Sequence, residues 1–186
     1  MKIERYEAGH GPRLAQEILD QDGPYTLFNL FQSSHPNEHH YVARDSDGTI
    51  HGAISVHHND REKSKDIHSL ASSLKAPPGI GQQLLQSVAK EAVGDGYRLF
   101  ALDALEHTRP YWESMGGQFD PDEYNDAMWS DEALHGLANG IPVPAQHTLM
   151  YDDDYENLVE PSTVSSIKRS DRLPGSARAR QSAGED

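Results

Sequence analysis

Cysteine is absent from the 186 residues of this chain. Its absence excludes disulfide bonds, thiolate nucleophiles and zinc sites with cysteine ligands. Basic residues are scarce as well, since 16 Lys and Arg stand against 30 Asp and Glu, which gives a formal net charge of −14. A surface of this sign repels the phosphates of nucleic acids and of anionic membranes, and it favours cationic partners such as amines. We therefore expect no nucleic-acid partner and no membrane partner.

Long apolar segments are also missing. No run is long enough to span a bilayer, and the first residues, MKIERYEAGHG, lack the apolar core of a secretion signal. These observations predict a cytoplasmic protein. The length allows one domain with its own core, which we place at residues 1–151. Residues 152–186 contain few large apolar side chains and many Ser, Arg and Asp, which predicts a mostly disordered tail.

Apolar residues recur at spacings that alternate between those of strands and those of helices. Helices are predicted from Pro12 onward and at 25–31, 80–93, 108–115 and 131–138, with Thr108 as the cap of the fourth. Strands are predicted at 2–6, 39–44, 49–58, 67–74, 97–105 and 147–151. Asp47 and Gly48 suit the tight turn of a hairpin between the second and third strands. Because a helix separates strands 67–74 and 97–105, we expect these two strands to be parallel.

A glycine-containing turn precedes the longest predicted helix, in the segment KAPPGIGQQLLQSVAKEAV at 75–93. Gly79 and Gly81 allow another molecule to approach the backbone closely. The first turn of a helix exposes N–H groups at the positive end of the helix dipole, so the pattern predicts a site for an anion such as a phosphate. Neither the GxxxxGK[ST] motif nor the GxGxxG motif of nucleotide-binding folds is present. A purely steric role of the glycines at the helix entry is the alternative.

Four segments together resemble the GCN5-related N-acetyltransferase (GNAT) superfamily. They are VARDSDGTIHGAISV (42–56), SLASSLKAPPGIGQQLL (69–85), RLFALDAL (98–105) and RPYWESMGG (109–117). The resemblance implies an α/β fold with a mixed, splayed β-sheet flanked by helices. Three positions depart from the usual pattern of the superfamily: Ala76 replaces an Arg or Gln of the glycine loop, Trp112 stands where a tyrosine is usual, and Gly117 replaces a phenylalanine.

The resemblance also implies a binding mode for acetyl-CoA, with no metal ion. The pantetheine arm would enter between the strands at 67–74 and 98–105. Main-chain N–H groups would polarise the thioester carbonyl, from Leu70, Ala71 and Ser72. The diphosphate would bind the N–H groups at the start of the helix, from Gly79, Ile80, Gly81, Gln82 and Gln83.

Transfer of an acetyl group to an amine requires a base for the amine and an acid for the departing thiolate. Asp66 and His68 are two residues apart on one predicted strand, so they are expected to face the same side, where members of the superfamily often place the base. His68 is the preferred candidate because histidine titrates near neutral pH; a solvated strand edge is the alternative. Tyr111 is the nearby phenol for the thiolate. Tyr111 and Trp112 point about 100° apart on a helix and cannot both face the sulfur, so water is the alternative acid.

An acidic segment at 120–146 lies where members of the superfamily build the wall of the acceptor site. Its carboxylates surround Tyr124 and Trp129, and carboxylates beside aromatic rings attract a cationic amine. Together with Trp112, these aromatic residues are the predicted contacts of the acceptor. An ordinary solvated loop is the alternative.

The resemblance and the charge together predict an N-acyltransferase that moves an acetyl group from acetyl-CoA to a primary amine of a small molecule or a protein, by direct attack in a ternary complex. The alternative is a non-catalytic acyl-CoA-binding or protein-interaction module on the same fold. Histidine pairs at 39–40 and 57–58 raise a third hypothesis, a metal site, which we set aside because neighbouring residues on a strand point to opposite faces. A homodimer is left open.

Overall fold

The computed structural model describes residues 1–32, 35–119 and 125–143. The strands in these residues are β1 (Lys2–Tyr6), β2 (Glu38–Arg44), β3 (Ile50–Asn59), β4 (Ser64–Ser72), β5 (Arg98–Ala101), β6 (Gln118–Phe119) and β7 (Ala127–Met128). The helices are α1 (Gly11–Asp20), α2 (Tyr25–Leu30), α3 (Ile80–Asp95), α4 (Arg109–Ser114) and α5 (Asp131–Ala138), with short 3-10 turns at Ala8–His10 and Glu106–Thr108. None of these helices is long and apolar enough to cross a membrane within the described ranges.

The seven strands form one mixed sheet in the order β1-β2-β3-β4-β5-β7-β6. All neighbours are antiparallel except β4 and β5, which are parallel. This parallel pair confirms the prediction made from the helix that connects the two strands. The predicted β2–β3 hairpin is confirmed as well, and Gly48 in its turn adopts a left-handed conformation with a φ of +84°. The mixed, open sheet flanked by helices is the predicted fold class.

Helices cover both faces of the sheet through two apolar clusters. The larger cluster joins one face to α3 and α5 and includes Ile54, Leu84 and Leu137. In α3 the buried residues recur at helical spacing along a single face. The smaller cluster joins the opposite face to α1 and α2 and includes Leu14 and Ala53. Ala53 and Ile54 are neighbours on β3, so their assignment to different clusters follows from the alternation of side chains along a strand.

Some element boundaries differ from the predicted ones. β4 begins at Ser64 rather than at residue 67, because its first residues pair with both β3 and β5. β5 ends at Ala101 rather than at residue 105. The side chain of Thr108 does not cap α4, since its hydroxyl donates a hydrogen bond to the carbonyl of Leu105 at 2.7 Å. The predicted strand at 147–151 and the predicted tail at 152–186 lie outside the described residues.

The two parallel strands at the centre of the sheet separate after four paired residues. Pairing runs from Ser64 opposite Arg98 to Ile67 opposite Ala101. The last bond of the ladder is donated by the Leu102 N–H to the Ile67 carbonyl, at 3.0 Å. β4 then continues to Ser72 with no β5 partner among the described residues.

Contacts on the far side of β5 explain this separation. The Asp103 N–H donates to the Asp126 carboxylate at 2.7 Å, and the Ala104 N–H donates to the Asn125 carbonyl at 2.7 Å. Asp103 itself has a φ of +51°, which turns the chain out of the strand. The chain after β5 is therefore tied to residues 125–126 instead of to β4, and the central strands leave a wedge between them.

Candidate active site

The wedge between β4 and β5 opens into a cleft with a volume of about 730 Å³. One wall is the free edge of β4, and the opposite wall is the segment that follows β5. The 68–72 segment of β4 pairs with β3 on one edge and has no partner on the other among the described residues. Alternate N–H groups of these residues therefore point toward the cleft. The remaining lining comes from α2, from the start of β2 and from the region of α4, through Thr26, Asn29, Leu30, Glu38, Thr108 and Trp112.

The start of α3 lies beside this cleft and presents unpaired main-chain donors. Gly79 is the N-cap with a φ of +85°, a left-handed conformation that favours glycine, and no side chain caps the helix. The Gln83 N–H donates to the Gly79 carbonyl at 3.0 Å, so it is not available to a ligand. The earlier N–H groups of the first turn, from Ile80 to Gln82, have no intrahelical acceptor. Of the five predicted diphosphate contacts, Ile80, Gly81 and Gln82 thus have a free main-chain N–H, and Gln83 does not.

A second, smaller depression of about 360 Å³ connects the start of α3 to β4. It is lined by the predicted main-chain contacts of the cofactor together with α4, through Leu70, Ala71, Ser72, Gly79, Gly81, Gln82, Tyr111 and Met115. A Cβ atom on Gly81 would lie 3.0 Å from the hydroxyl oxygen of Tyr111. Glycine at position 81 therefore allows the Tyr111 hydroxyl to pack against the first turn of α3, where even a methyl group would crowd it.

His68 lies at the mouth of the large cleft. It is the additional residue of a β-bulge, because Ser69 pairs with Ser55 and Ile67 pairs with Val56. Its side chain lines the cleft, and desolvation by the surrounding atoms lowers its pKa below the ordinary 6.5, although the nearby charge of Glu38 acts in the opposite direction. The imidazole is therefore neutral at pH 7, the state in which it accepts a proton.

Glu38 contributes a carboxylate to the same cleft, and sequence reasoning missed it. It begins β2, is 1% exposed and lines the cleft near His68. The Ser55 hydroxyl donates a hydrogen bond to its carboxylate. A buried carboxylate of this kind attracts an ammonium group and stabilises a charged imidazole beside it.

Asp66 is separated from the cleft by the bulge. It is 6% exposed and is not among the residues that line the cleft. Desolvation raises its pKa to about 6, against the lowering effect of a hydrogen bond from Ser64. We predicted that the side chains of Asp66 and His68 face the same side of the strand because side chains alternate along a regular strand. The extra residue at position 68 interrupts that alternation. The structure therefore brings only His68 to the cleft.

The aromatic residues predicted to contact the acceptor are placed differently from one another. Trp112 lines the cleft but is only 7% exposed, and its indole N–H donates to the Thr108 hydroxyl at 3.1 Å. Trp129 is 4% exposed and donates to the Met115 carbonyl at 2.8 Å. The rings of Trp112 and Trp129 pack edge to face, 6.1 Å apart, so Trp129 belongs to the core rather than to the cleft. Tyr124 lies outside the described residues.

The described part of the predicted acceptor segment at 120–146, residues 125–143, does not line the cleft, whereas three residues of α2 do. Asp103 adds a second carboxylate to the lining, and its charge acts on His68. The carboxylates that line the cleft among the described residues are therefore those of Glu38 and Asp103, and residues 125–143 contribute none.

The histidine pairs of the hairpin contact other histidines. His39 and His58 stack with their ring centroids 3.9 Å apart, and His35 packs edge to face on His57 at 4.4 Å. Among the residues that the structure describes, no group of three or more His, Asp or Glu side chains is arranged to hold a metal ion.

Comparison with solved structures shows which known fold this architecture matches. Tetrahymena GCN5 is matched over 70% of this chain and 97% of its own chain, with a TM-score of 0.51 and 11% sequence identity. The chain has the GNAT fold. A KacTA–DNA complex is matched over 75% of this chain and 99% of the other chain, with a TM-score of 0.50 and 15% identity. No family model matches the sequence, and none of the curated proteins matches it.

The GNAT fold confirms the architecture that the sequence predicted. The mixed sheet, the separation of β4 from β5 and the glycine-led helix α3 are all features of the described residues. A shared fold at such low identities establishes architecture, and function has to be argued from the site itself.

Proposed function

We propose that this protein is an acyl-CoA-dependent N-acyltransferase that transfers an acetyl group to a primary amine. The observation that carries the proposal is the separation of β4 from β5 directly beside the uncapped start of α3. Together these elements offer a narrow slot with free main-chain donors and an anion site at its end. The remaining features of the cleft supply the groups that acyl transfer to an amine requires.

The residues around the slot fit a CoA thioester. The N–H groups from Ile80 to Gln82 would hold the diphosphate, and Gly81 lets Tyr111 lie close to this turn, because a Cβ there would be only 3.0 Å from the Tyr111 hydroxyl. The unpaired edge of β4, from Leu70 to Ser72, would hold the pantetheine arm by main-chain hydrogen bonds of the type that a strand makes. When bound, an acyl-CoA supplies a carbonyl carbon activated toward an amine and a thiolate as the leaving group.

His68 would act as the base. It is neutral at pH 7 because desolvation lowers its pKa, and it lines the cleft in which an amine would meet the thioester. Glu38 and Asp103 would draw the ammonium form of the amine into the cleft. After His68 accepts the amine proton, the nearby Glu38 carboxylate stabilises the imidazolium by opposite charge.

An acyl-transfer assay tests this proposal. The protein is incubated with acetyl-CoA and a panel of primary amines, release of free CoA is followed with a thiol reagent, and the acetylated product is identified by its mass. We expect CoA release that depends on one class of amine. His68→Gln should lower kcat about a hundredfold or more, with little change in the affinity for CoA. His107→Gln, at an exposed position, is the matched control and should behave like the unmodified protein.

Two outcomes would contradict the proposal. Binding of CoA without transfer to any amine of the panel would favour the non-catalytic acyl-CoA-binding module. Absence of CoA binding would reject the cofactor site itself.

A further inference from the structure

The hydroxyl of Tyr111 is a buried polar group without a hydrogen-bond partner in the described residues. Tyr111 belongs to α4, and its ring packs edge to face on Trp112 with the centroids 5.1 Å apart. The packing fixes the direction of the ring, so the hydroxyl cannot swing to another partner without disturbing the core. A buried donor without an acceptor is costly, and it points to an acceptor that the protein chain itself does not supply.

The position of this hydroxyl identifies the region that the missing hydrogen-bond acceptor would occupy. The nearest atom to a Cβ on Gly81 would be the Tyr111 hydroxyl oxygen at 3.0 Å, and the Leu70 side chain would follow at 3.7 Å. Tyr111 therefore reaches across the small depression to the first turn of α3. The hydroxyl makes no hydrogen bond to the free N–H groups of that turn or to any other described group, so the phenol and these N–H groups all remain able to donate to a ligand. One acceptor-rich anion between them would satisfy them together.

We propose that Tyr111 is a cofactor-binding residue whose hydroxyl donates a hydrogen bond to the CoA diphosphate held at the start of α3. This inference rests on the proposed function, and it assigns Tyr111 to the diphosphate end of the cofactor rather than to the thiolate. Sequence reasoning placed Tyr111 at the sulfur, by its position beside Trp112 in the motif RPYWESMGG.

The chemistry of the phenol agrees with the role of a permanent donor. Burial raises the pKa of Tyr111 above its ordinary value of 10, so the hydroxyl keeps its proton throughout the physiological range. A thiol has an ordinary pKa of about 8.5. Proton transfer from this phenol to a thiolate is therefore unfavourable, whereas a hydrogen bond from the neutral phenol to a phosphate oxygen requires no proton transfer.

Binding measurements with a full and a truncated ligand test the inference. The affinities of CoA and of pantetheine, which lacks the diphosphate, are measured by calorimetry for the unmodified protein and for Tyr111→Phe. We expect Tyr111→Phe to bind CoA roughly tenfold or more weakly, because a hydrogen bond to a charged group is lost, and to bind pantetheine as the unmodified protein does. In kinetics with acetyl-CoA, the loss should appear in KM rather than in kcat.

One further variant and one melting measurement separate this role from a structural one. Tyr97→Phe removes a hydroxyl that is bonded elsewhere, to Asp60 at 2.5 Å, and should leave CoA affinity unchanged. Tyr111→Phe itself should melt at the same temperature as the unmodified protein or higher, because the hydroxyl that it removes has no partner within the described residues.

The inference is overturned if Tyr111→Phe binds CoA normally, or if the substitution weakens CoA and pantetheine equally. A fall in kcat with both acetyl-CoA and S-acetyl-pantetheine would also overturn it, and would return Tyr111 to the role of the acid. If the unmodified protein binds no CoA, the proposed function and this inference both fail. Binding by the unmodified protein with an unaffected variant removes only the inference.

Discussion

Replacing His58 with glutamine should remove a large part of the loss of stability that the protein undergoes in mild acid. The ring of His58 stacks on His39, and its Nε2 atom lies 3.4 Å from Nζ of Lys65. Lys65 is fully buried and held by Glu91 at 2.9 Å and by Asp95 at 3.0 Å. Burial, and then the positive charge of Lys65, lower the pKa of His58 from 6.5 to about 4.

The size of the effect follows from this change in pKa. At pH 7.5 His58 is neutral in both the folded and the unfolded protein, so it does not change the free energy of unfolding. Below pH 6.5 the unfolded chain binds a proton that the folded protein excludes, so stability falls as the pH drops toward 4. At about 1.36 kcal/mol for each pH unit, the loss is about 2 kcal/mol at pH 5 and about 3 kcal/mol near pH 4.

Asp66 acts with the opposite sign in the same range. Its pKa is raised from 3.8 to about 6 in the folded protein, so the unfolded chain releases its proton first and Asp66 destabilises the fold as the pH rises. The total pH dependence therefore mixes these two groups with His39, His40 and His68, whose pKa values burial also lowers. The difference between the unmodified protein and His58→Gln isolates the contribution of the histidine.

Urea denaturation at pH 7.5 and at pH 5 measures this difference. The free energy of unfolding should fall by about 2 kcal/mol less in His58→Gln than in the unmodified protein between the two pH values. His107→Gln, at an exposed position, is the control and should follow the unmodified protein. Parallel pH curves for His58→Gln and the unmodified protein would refute the reasoning.

Three further substitutions have defined outcomes in urea denaturation or calorimetry. Lys65→Met should destabilise the fold by about 2 kcal/mol, because two carboxylates lose their buried partner, whereas the exposed Lys90→Met should change little; equal effects would contradict the burial argument. His40→Leu should stabilise by about 1 kcal/mol, since the ring is 0% exposed and neither nitrogen has a partner in the described residues; a large loss would show a hidden hydrogen bond. Gly79→Ala should cost about 1 kcal/mol at a φ of +85°, while Gly94→Ala inside α3, with open space around it, should gain about 0.5 to 1 kcal/mol; the same sign for both would be inconsistent with the backbone geometry.

Local patterns were sufficient to predict the elements that form the proposed cofactor site. The helical periodicity after Gly79 predicted α3, and the Asp–Gly turn predicted the β2–β3 hairpin; both are confirmed. The parallel pairing of β4 with β5 followed from the helix between them. Each of these features depends on residues that are close in the sequence, where turn chemistry and periodicity are informative.

The lining of the cleft depends on contacts between distant segments, which the sequence alone did not reveal. Glu38 begins a strand and is expected from the sequence to be an exposed charge, yet it is 1% exposed in the fold. Lys65 is likewise expected from the sequence to lie at the surface, but it is 0% exposed. A buried tryptophan and a tryptophan that contacts a ligand look alike in a sequence, so Trp129 was predicted at the acceptor and is found in the core.

The bulge at His68 shows a second limit of sequence reasoning. An added residue in a strand shifts the side of every following side chain. The sequence around His68 carries no glycine or proline that marks the irregularity. Only the pairing of Ser69 with Ser55 and of Ile67 with Val56 reveals it, and it is this irregularity that sends His68, without Asp66, to the cleft.

The central claim is that the free N–H groups at the start of α3 and the unpaired edge of β4 bind CoA. The most direct measurement is a titration of the ¹⁵N-labelled protein with CoA, followed by the amide resonances in two-dimensional NMR spectra. We expect saturable shifts that are largest for Ile80, Gly81 and Gln82 and extend to Leu70 and Ser72. No saturable shift at these amides, or shifts confined to residues away from α3 and β4, would contradict it.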